Sequence, residues 1–546
     1  MNGYEAIAKI LKQEGVEWIA CYPAHPLIEA VAKEGIRPIM FRQERGGINA
    51  ADGYSRQMSG KKFGVFMCQG GPGVENAMGG IAQAHADSVP VLFLPDGAAL
   101  DRLSVKPTFW ASQTYKPVTK SAESLTKPDL IVPMMRRAFQ ALRQGRGAPA
   151  LVELHRDGVA GDVTNLDSYR PPKAIRSAPS RTDIQDTVKQ LLNAKRPVIW
   201  AGQGVLYANA TEELRELAEL TQIPVMTTMP GKSAINEDHP LALGAANRTA
   251  PLGVWTWLKE SDVFFAVGSS LTITNYGITV PPGKFMIHST NNPEDISKDY
   301  SIDLPLAGDA KLVLQAMIEE VKAQAGDKGR SADTAIQEDV AEVKKRWLDE
   351  WAPLLNSDMN PANPYRLVNE INKAVDHQNT IMTHDAGHPR DQIMPFYKAT
   401  VPHSYIGWGK STHLGYGIGL AIGSKMAQPD KFCVNFMGDG AFGMAGLDIE
   451  TSVRSDNPIT TILLNNGTMG GYNRSLPTAM EKYGAGNMSG DYAKIAEGLG
   501  AVGIKVDTPG EIGAAIKKAR QLNDDGRSVL LDVKTQPELK FSVYDQ

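Results

Sequence analysis

The sequence predicts an α/β protein of three doubly wound, mainly parallel-sheet domains, and three observations carry that expectation. First, short apolar runs alternate with stretches of helical period: Val16–Cys21, Phe63–Cys68, Val89–Leu94, Pro197–Trp200, Val263–Val267, Phe432–Met437 and Ile459–Leu464. Many of these runs end in glycine, which is the rhythm of βαβ units in an open parallel sheet. Second, two stretches break the rhythm and read as connectors: Asn165–Arg181, with Pro171, Pro172 and Pro179, and a passage from Gly326 through a charged helix to Pro361, Asn363 and Pro364. Third, the connectors divide the 546 residues into 1–170, 185–345 and 360–546, each long enough for a sheet of about five or six strands.

Charge and composition narrow the partners. Lys and Arg number 57 against 61 Asp and Glu, a net charge of −4, so the totals supply no basic face for nucleic acid or an anionic membrane. With 42% hydrophobic and 22% charged residues, 52 glycines and 34 prolines, this is the composition of a loop-bearing globular enzyme. Cys21, Cys68 and Cys433 stand far apart and form no Cys-x-x-Cys pair, which argues against a disulfide framework or a zinc knuckle. Near the N-terminus Ile7, Ile10 and Leu11 recur at helical spacing among Glu5, Lys9, Lys12 and Glu14, an amphipathic surface helix and not a signal peptide. No run of about 18 apolar residues occurs, and the expectation is a soluble cytoplasmic protein.

The third segment carries the clearest chemistry. Phe432–Met437 reads as a buried strand that runs into Gly438-Asp439-Gly440-Ala441, with a helix-like stretch over Ala445–Val453. A strand, a glycine turn and a helix start make a nest for phosphate oxygens. A second buried strand, Thr460–Leu464, ends in Asn465-Asn466-Gly467. Parallel neighbours would set Asp439 beside Asn466 at the carboxyl edge of the sheet, where ligands of open α/β folds bind. One carboxylate, one amide oxygen and a loop carbonyl, with diphosphate oxygens and water, complete the octahedron magnesium demands.

Gly-Asp-Gly followed downstream by Asn-Asn resembles the cofactor motif of the thiamine diphosphate-dependent enzymes, and the likeness to their acetolactate synthase-like branch of 2-oxo acid carboligases and decarboxylases spans essentially the whole chain. The resemblance implies that Asp439, Asn466 and the Thr468 carbonyl ligate Mg2+, with Gly438, Gly440 and Ala441 around the diphosphate. It aligns Thr383–Gly387 with a strand-end loop near the diphosphate and gives His388 a phosphate role. It also implies that Leu414 wedges under the cofactor and that the Thr412 carbonyl meets the pyrimidine amino group.

In the first segment Arg42-Gln43-Glu44-Arg45 follows a predicted strand, and Ala50–Arg56 reads Ala-Ala-Asp-Gly-Tyr-Ser-Arg on the ensuing helix. This is similar to the family's His-Glu-Gln and Ala-Asp-Gly-Tyr-Ala-Arg, and implies that Glu44 is the carboxyl group bonded to the pyrimidine ring, the proton carrier that activates the thiazolium. Gly70-Gly71-Pro72-Gly73-Val74-Glu75-Asn76 lacks the third glycine of a dinucleotide fingerprint, because Asn76 stands there. By the same likeness Gln69 and His25 fall at substrate-facing positions.

The middle segment traces another βα sheet through Pro197–Gly204, Pro224–Gly231, Ser261–Gly268 and Phe285–His288. After His288 the chain reads Ser-Thr-Asn-Asn-Pro, without the acidic residue that binds ribose hydroxyls at such strand ends. FAD, held by some relatives, is therefore not expected, and the segment is read as a spacer. The resemblance further implies a homodimer or homotetramer in which the pyrimidine edge of one subunit meets the diphosphate edge of another, the two sheets of one chain being kept apart by the middle domain. The expected activity is carbon–carbon ligation or cleavage on a 2-oxo acid, carboligation first. The alternative is a decarboxylase, benzoylformate decarboxylase-like, or a 2-hydroxyacyl-CoA lyase. Leu414 in place of the common methionine, and the missing Phe-Gln-Glu ahead of Lys116-Pro117-Val118, are departures from the synthase pattern.

Overall fold

The computed structural model describes residues 1–23, 25–330 and 332–544. The first sheet contains β1 (Trp18–Tyr22), β2 (Arg37–Met40), β3 (Gly64–Cys68), β4 (Val91–Gly97), β5 (Ser121–Leu125) and β6 (Ala150–His155), in the order β2-β1-β3-β4-β6-β5. A middle sheet contains β7 (Val198–Ala201), β8 (Val225–Thr228), β9 (Ala242–Ala246), β10 (Val263–Val267), β11 (Phe285–Thr290) and β12 (Leu304–Ala307), in the order β12-β11-β10-β7-β8-β9. The third holds β13 (Thr380–His384), β14 (Tyr405–Ile406), β15 (Phe432–Gly438), β16 (Thr460–Asn465), β17 (Val502–Val506) and β18 (Val529–Lys534), ordered β14-β13-β15-β16-β18-β17. Every strand pairing is parallel. The α/β expectation of three doubly wound sheets therefore holds.

Central strands are apolar because helices cover both faces of a parallel sheet. All residues of β3, β10 and β16 are buried. The edge strand β5 buries only Leu125, and its Ser-Ala-Glu-Ser sequence gave no strand signal. In the first and third sheets the order reverses between the first and third strands, and in the middle sheet between β7 and β10. Such switch points open a crevice at the carboxyl edge.

The helix expected over Ala445–Val453 is two helices. Asp439–Ala445 begins directly at the aspartate, with Gly438 as its N-cap, and Asp448–Arg454 follows after Gly446 and Leu447. The phosphate turn is thus shorter than the sequence suggests.

A second correction concerns the arrangement of domains. The first and third sheets of one chain are not held apart by the middle unit. Phe66, Phe93 and Tyr54 share one apolar cluster with Ile418, Leu420 and Phe436. Helix Glu44–Met58 lies against helix Gly417–Ala427 at glycine positions. A Cβ on Gly53 would strike the Leu420 carbonyl, one on Gly423 the Ala50 carbonyl, and one on Gly419 would come within 2.7 Å of the Gly46 oxygen. Helix propensity alone favours alanine over glycine by about 1 kcal/mol, whereas overpacking typically costs about 1–3 kcal/mol. With backbone as the obstacle the second effect wins, so Gly423→Ala is expected to lower the melting temperature. A melt at or above that of the wild type would show that the helices separate freely.

Candidate active site

Two halves of a site are built on different sheets. On the third sheet, β15 and β16 are adjacent, with Gly438 opposite Leu464. Asp439 and Asn466 therefore emerge together at the carboxyl edge. Asp439 Oδ1 accepts the Gly440 N–H at 2.8 Å and Oδ2 accepts the Gly467 N–H at 2.9 Å, while Asn466 Oδ1 accepts the Thr468 N–H at 3.0 Å. Asp439 is 5% exposed, and among the described residues it has no ion pair. Burial raises its pKa above the ordinary carboxylate value, against the pull of those backbone N–H groups. A buried carboxylate without a cation, beside an amide oxygen, is a hard-oxygen donor set that fits Mg2+. A Cβ on Gly440 would press on the Met469 sulfur at 2.7 Å, so the turn beside Asp439 packs closely on the loop after β16. His388 begins the helix after β13, its ring against Gly470 and edge-on to Phe541. It borders the same loop as Asn466 and Thr468.

On the first sheet, Glu44 opens the helix that follows β2 and is 3% exposed. Burial raises its pKa, opposed by a hydrogen bond to the Asn76 side chain. A Cβ on Gly73 would lie 3.3 Å from Glu44 Oε1 and 3.1 Å from Gln69 Cγ, so the glycine loop after β3 packs on Glu44 and brings Gln69 beside it. Asn76 was read from sequence only as a missing glycine.

Segments flanking the two halves touch within one chain. Gln43 Nε2 donates to the Met444 carbonyl at 2.8 Å, Arg45 Nη2 to the same oxygen at 3.4 Å, and the Arg42 N–H to Asp448 Oδ1 at 2.9 Å. Met444 lies near the end of the helix that begins at Asp439, and five residues of helix rise about 7–8 Å. The segment carrying Thr412 and Leu414 is half-buried. Leu414 packs against the shared apolar cluster, and Gly415, at φ 81°, sits under Met444. Asp385, at the end of β13, accepts the Gly415 and Gly417 N–H groups at 2.9 and 2.8 Å and so braces this segment. Asp385 and Asp448 were not anticipated, because their partners lie far along the chain.

His25 is placed differently from Gln69. It caps helix Pro26–Lys33, with Nδ1 accepting the Leu27 N–H at 3.1 Å. Its ring is 5% exposed and edge-on to Tyr4. That cap puts the neutral ring's proton on Nε2, which points toward Asp96 Oδ1 at 4.0 Å. Burial lowers the His25 pKa to about 4 and raises that of Asp96 to about 6.

The middle unit, expected to be a spacer, borders a cavity of about 480 Å3 that residues of the first unit (Asp87, Arg146) and the third (Lys410) also line. Gln203 and Gly204 after β7 and Gly268 and Ser269 after β10 line it at the switch point, together with Asp295 and Asp309. Asp295 is ion-paired with Arg146 at 2.5 Å, and Asp309 caps the helix Ala310–Ala325. Among the described residues no helix is long and apolar enough to cross a membrane.

Comparison with known proteins gives three family matches. Residues 1–114 match the thiamine pyrophosphate enzyme N-terminal TPP binding domain, 184–317 the central domain, and 385–533 the C-terminal TPP binding domain. The chain is 30% identical to a probable acetolactate synthase large subunit of Methanococcus aeolicus, covering 100% of this chain and 93% of the relative. It is 31% identical to a probable acetolactate synthase large subunit of Methanocaldococcus jannaschii, over 98% and 92%. It is 29% identical to a glyoxylate carboligase of Escherichia coli O157:H7, over 96% and 91%.

Proposed function

The chain belongs to the thiamine pyrophosphate-dependent enzymes, in their acetolactate synthase-like family, and on that premise we propose that it is a Mg2+-dependent carboligase acting on a 2-oxo acid. Residues 1–170 are read as the pyrimidine-binding domain, 185–345 as the middle domain and 360–546 as the diphosphate-binding domain. The observation that carries the reading is the buried Asp439 carboxylate beside the Asn466 turn at the carboxyl edge of the third sheet.

When bound, thiamine diphosphate supplies an acidic thiazolium C–H and an electron sink for bonds broken next to a carbonyl. The chain's residues supply the rest. Asp439, Asn466 and the Thr468 carbonyl would hold Mg2+, and the backbone at Gly438, Gly440 and Ala441 would face the diphosphate. His388 closes that end. The Thr412 carbonyl would accept a hydrogen bond from the pyrimidine amino group, and Leu414 would support the ring half of the cofactor. Glu44, kept protonated by burial to higher pH than a solvated glutamate, holds and returns a proton at the pyrimidine ring nitrogen, and Asn76 orients it. Gln69 faces the substrate, and His25 acts from behind it.

Carbon dioxide release and product analysis with a panel of 2-oxo acids, with and without aldehyde acceptors and acyl-CoA compounds, test the reading. Ligated 2-hydroxy-3-oxo products are expected. Free aldehyde alone would assign a decarboxylase, and turnover only of 2-hydroxyacyl-CoA would assign a lyase.

The proposed assembly is a homodimer, which sedimentation would report as twice the 59.1 kDa chain. Mixing Glu44→Gln with Asp439→Ala chains tests how the two halves are shared. The family resemblance places the two halves of a site on different subunits, so hybrid dimers carrying one intact site should recover some activity. No recovery after proven subunit exchange would assign both halves to one chain.

A further inference from the structure

A buried cluster outside the cofactor contacts grips the segment on which Thr412 and Leu414 sit. Asp52, Arg56 and Asp87 come from the first sheet's helices and Tyr416 from the third unit, and each is at most 4% exposed. Arg56 Nε donates to Asp52 Oδ1 at 2.6 Å, and its Nη2 donates to Asp87 Oδ2 at 3.1 Å and to the Tyr416 hydroxyl at 2.9 Å. The Tyr416 hydroxyl in turn donates to Asp52 Oδ1 at 2.7 Å. The same two side chains reach the backbone across the domain boundary. Arg56 Nη1 donates to the Gly407 carbonyl at 2.9 Å, and Asp87 Oδ1 accepts the N–H groups of Gly409 at 3.1 Å and Lys410 at 3.0 Å.

The first sheet's helices therefore hold residues 407, 409, 410 and 416, while the stretch between, including Thr412 and Leu414, is half-buried. Charge-assisted hydrogen bonds in a buried network are strong and directional. They fix the ends of a short loop and thereby the height of its middle.

We propose that Arg56, Asp87 and Tyr416 are positioning residues that set the segment 407–416 at the height where Thr412 and Leu414 seat the ring half of thiamine diphosphate. The proposal rests on the reading of Thr412 and Leu414 given above. It assigns a task to the Asp-Gly-Tyr-Ser-Arg run over 52–56 that the site's own contacts leave unexplained.

Because only the ring half rests on this segment, the clamp should matter for thiamine diphosphate and not for inorganic diphosphate with Mg2+, which occupies the other half alone. Titration calorimetry on apo-protein with both ligands is the test, using Tyr416→Phe and Asp87→Asn, with melting of each apo-variant measured on the same preparation. Tyr416→Phe removes two hydrogen bonds and no volume, and should raise the Kd for thiamine diphosphate about tenfold with the Kd for diphosphate unchanged. Equal weakening of both ligands would reduce the cluster to a structural role, and unchanged affinity for both would also overturn the proposal. Leu414→Ala serves as the control for the underlying reading. If it leaves thiamine diphosphate affinity intact, the seat itself is misassigned. If it weakens binding while Tyr416→Phe and Asp87→Asn do not, the seat stands and the clamp falls.

Discussion

Asp439→Ala is expected to lower the affinity for thiamine diphosphate about a hundredfold or more, the effect of removing one partner of a buried charge pair at about 3–5 kcal/mol, while the apo-protein stays folded. The two halves of that statement have different causes. In the loaded protein the carboxylate would be the one charged protein ligand of Mg2+, and an amide and a carbonyl oxygen are poor substitutes for it. In the apo-protein the carboxylate is 5% exposed with no ion pair, so its removal relieves the burial that raises its pKa. It also leaves the Gly440 and Gly467 N–H groups without their acceptor. These contributions oppose each other, so the apo melting temperature should move little. Ligand at about 100 times its Kd stabilises a folded protein by about 2.7 kcal/mol. The wild type should therefore melt higher when thiamine diphosphate and Mg2+ are added, and Asp439→Ala should not. A variant that keeps the cofactor through gel filtration in chelator would remove Asp439 from the metal site.

The placement of Asp439 at a sheet edge beside the Asn466 turn was readable from sequence for a reason that does not extend to its neighbours. The motif is local: a buried apolar strand, a turn, and a second buried strand whose end must lie alongside because the first pairs with it. Glu44 was readable for a similar reason, flanked as it is by a strand and a helix in one short stretch. Asp87, Asp385 and Asp448 are as buried or as engaged as these, yet each acts on a partner brought close only by the fold. Asp87, for example, accepts N–H groups more than 300 residues away. A polar residue buried by a distant segment has the same local pattern as one facing solvent. The contact of helix Glu44–Met58 with Gly417–Ala427 was missed for another reason. Glycine spacing at Gly419 and Gly423 marks a surface that permits close approach, but not which helix approaches. Edge strands such as Ser121–Leu125 escaped because one buried leucine produces no alternation. The cavity that the middle unit borders escaped because residues of the first and third units also line it.

Glu44→Gln is expected to slow exchange of the thiazolium proton by about 10²–10⁴-fold, the usual worth of general acid-base assistance, with cofactor still bound. Glutamine keeps the shape and a hydrogen bond but cannot carry a proton, so the loss falls on the proton transfer. The pH profile adds a signature. Burial raises the pKa of Glu44, so the wild-type exchange rate should titrate above the ordinary glutamate range of about 4.3, and the variant should lack that limb. His25 separates activation of the cofactor from events at the substrate. Its Nδ1 is engaged by the Leu27 N–H, so His25→Ala should cost about 1 kcal/mol of stability through the lost cap. Its Nε2 faces Asp96 rather than Glu44, so proton exchange should remain near the wild-type rate. If His25 and Asp96 handle a proton at the substrate end, turnover or the ratio of decarboxylation to ligation must change beyond what the stability loss explains. Exchange followed by NMR in deuterium oxide, beside product ratios from the same preparations, reads both. Exchange abolished in His25→Ala as in Glu44→Gln would place His25 at the pyrimidine. A stability loss with turnover and products unaltered would leave it a helix cap and nothing more, because a side chain whose removal changes no rate takes no part in the proton transfers that set those rates.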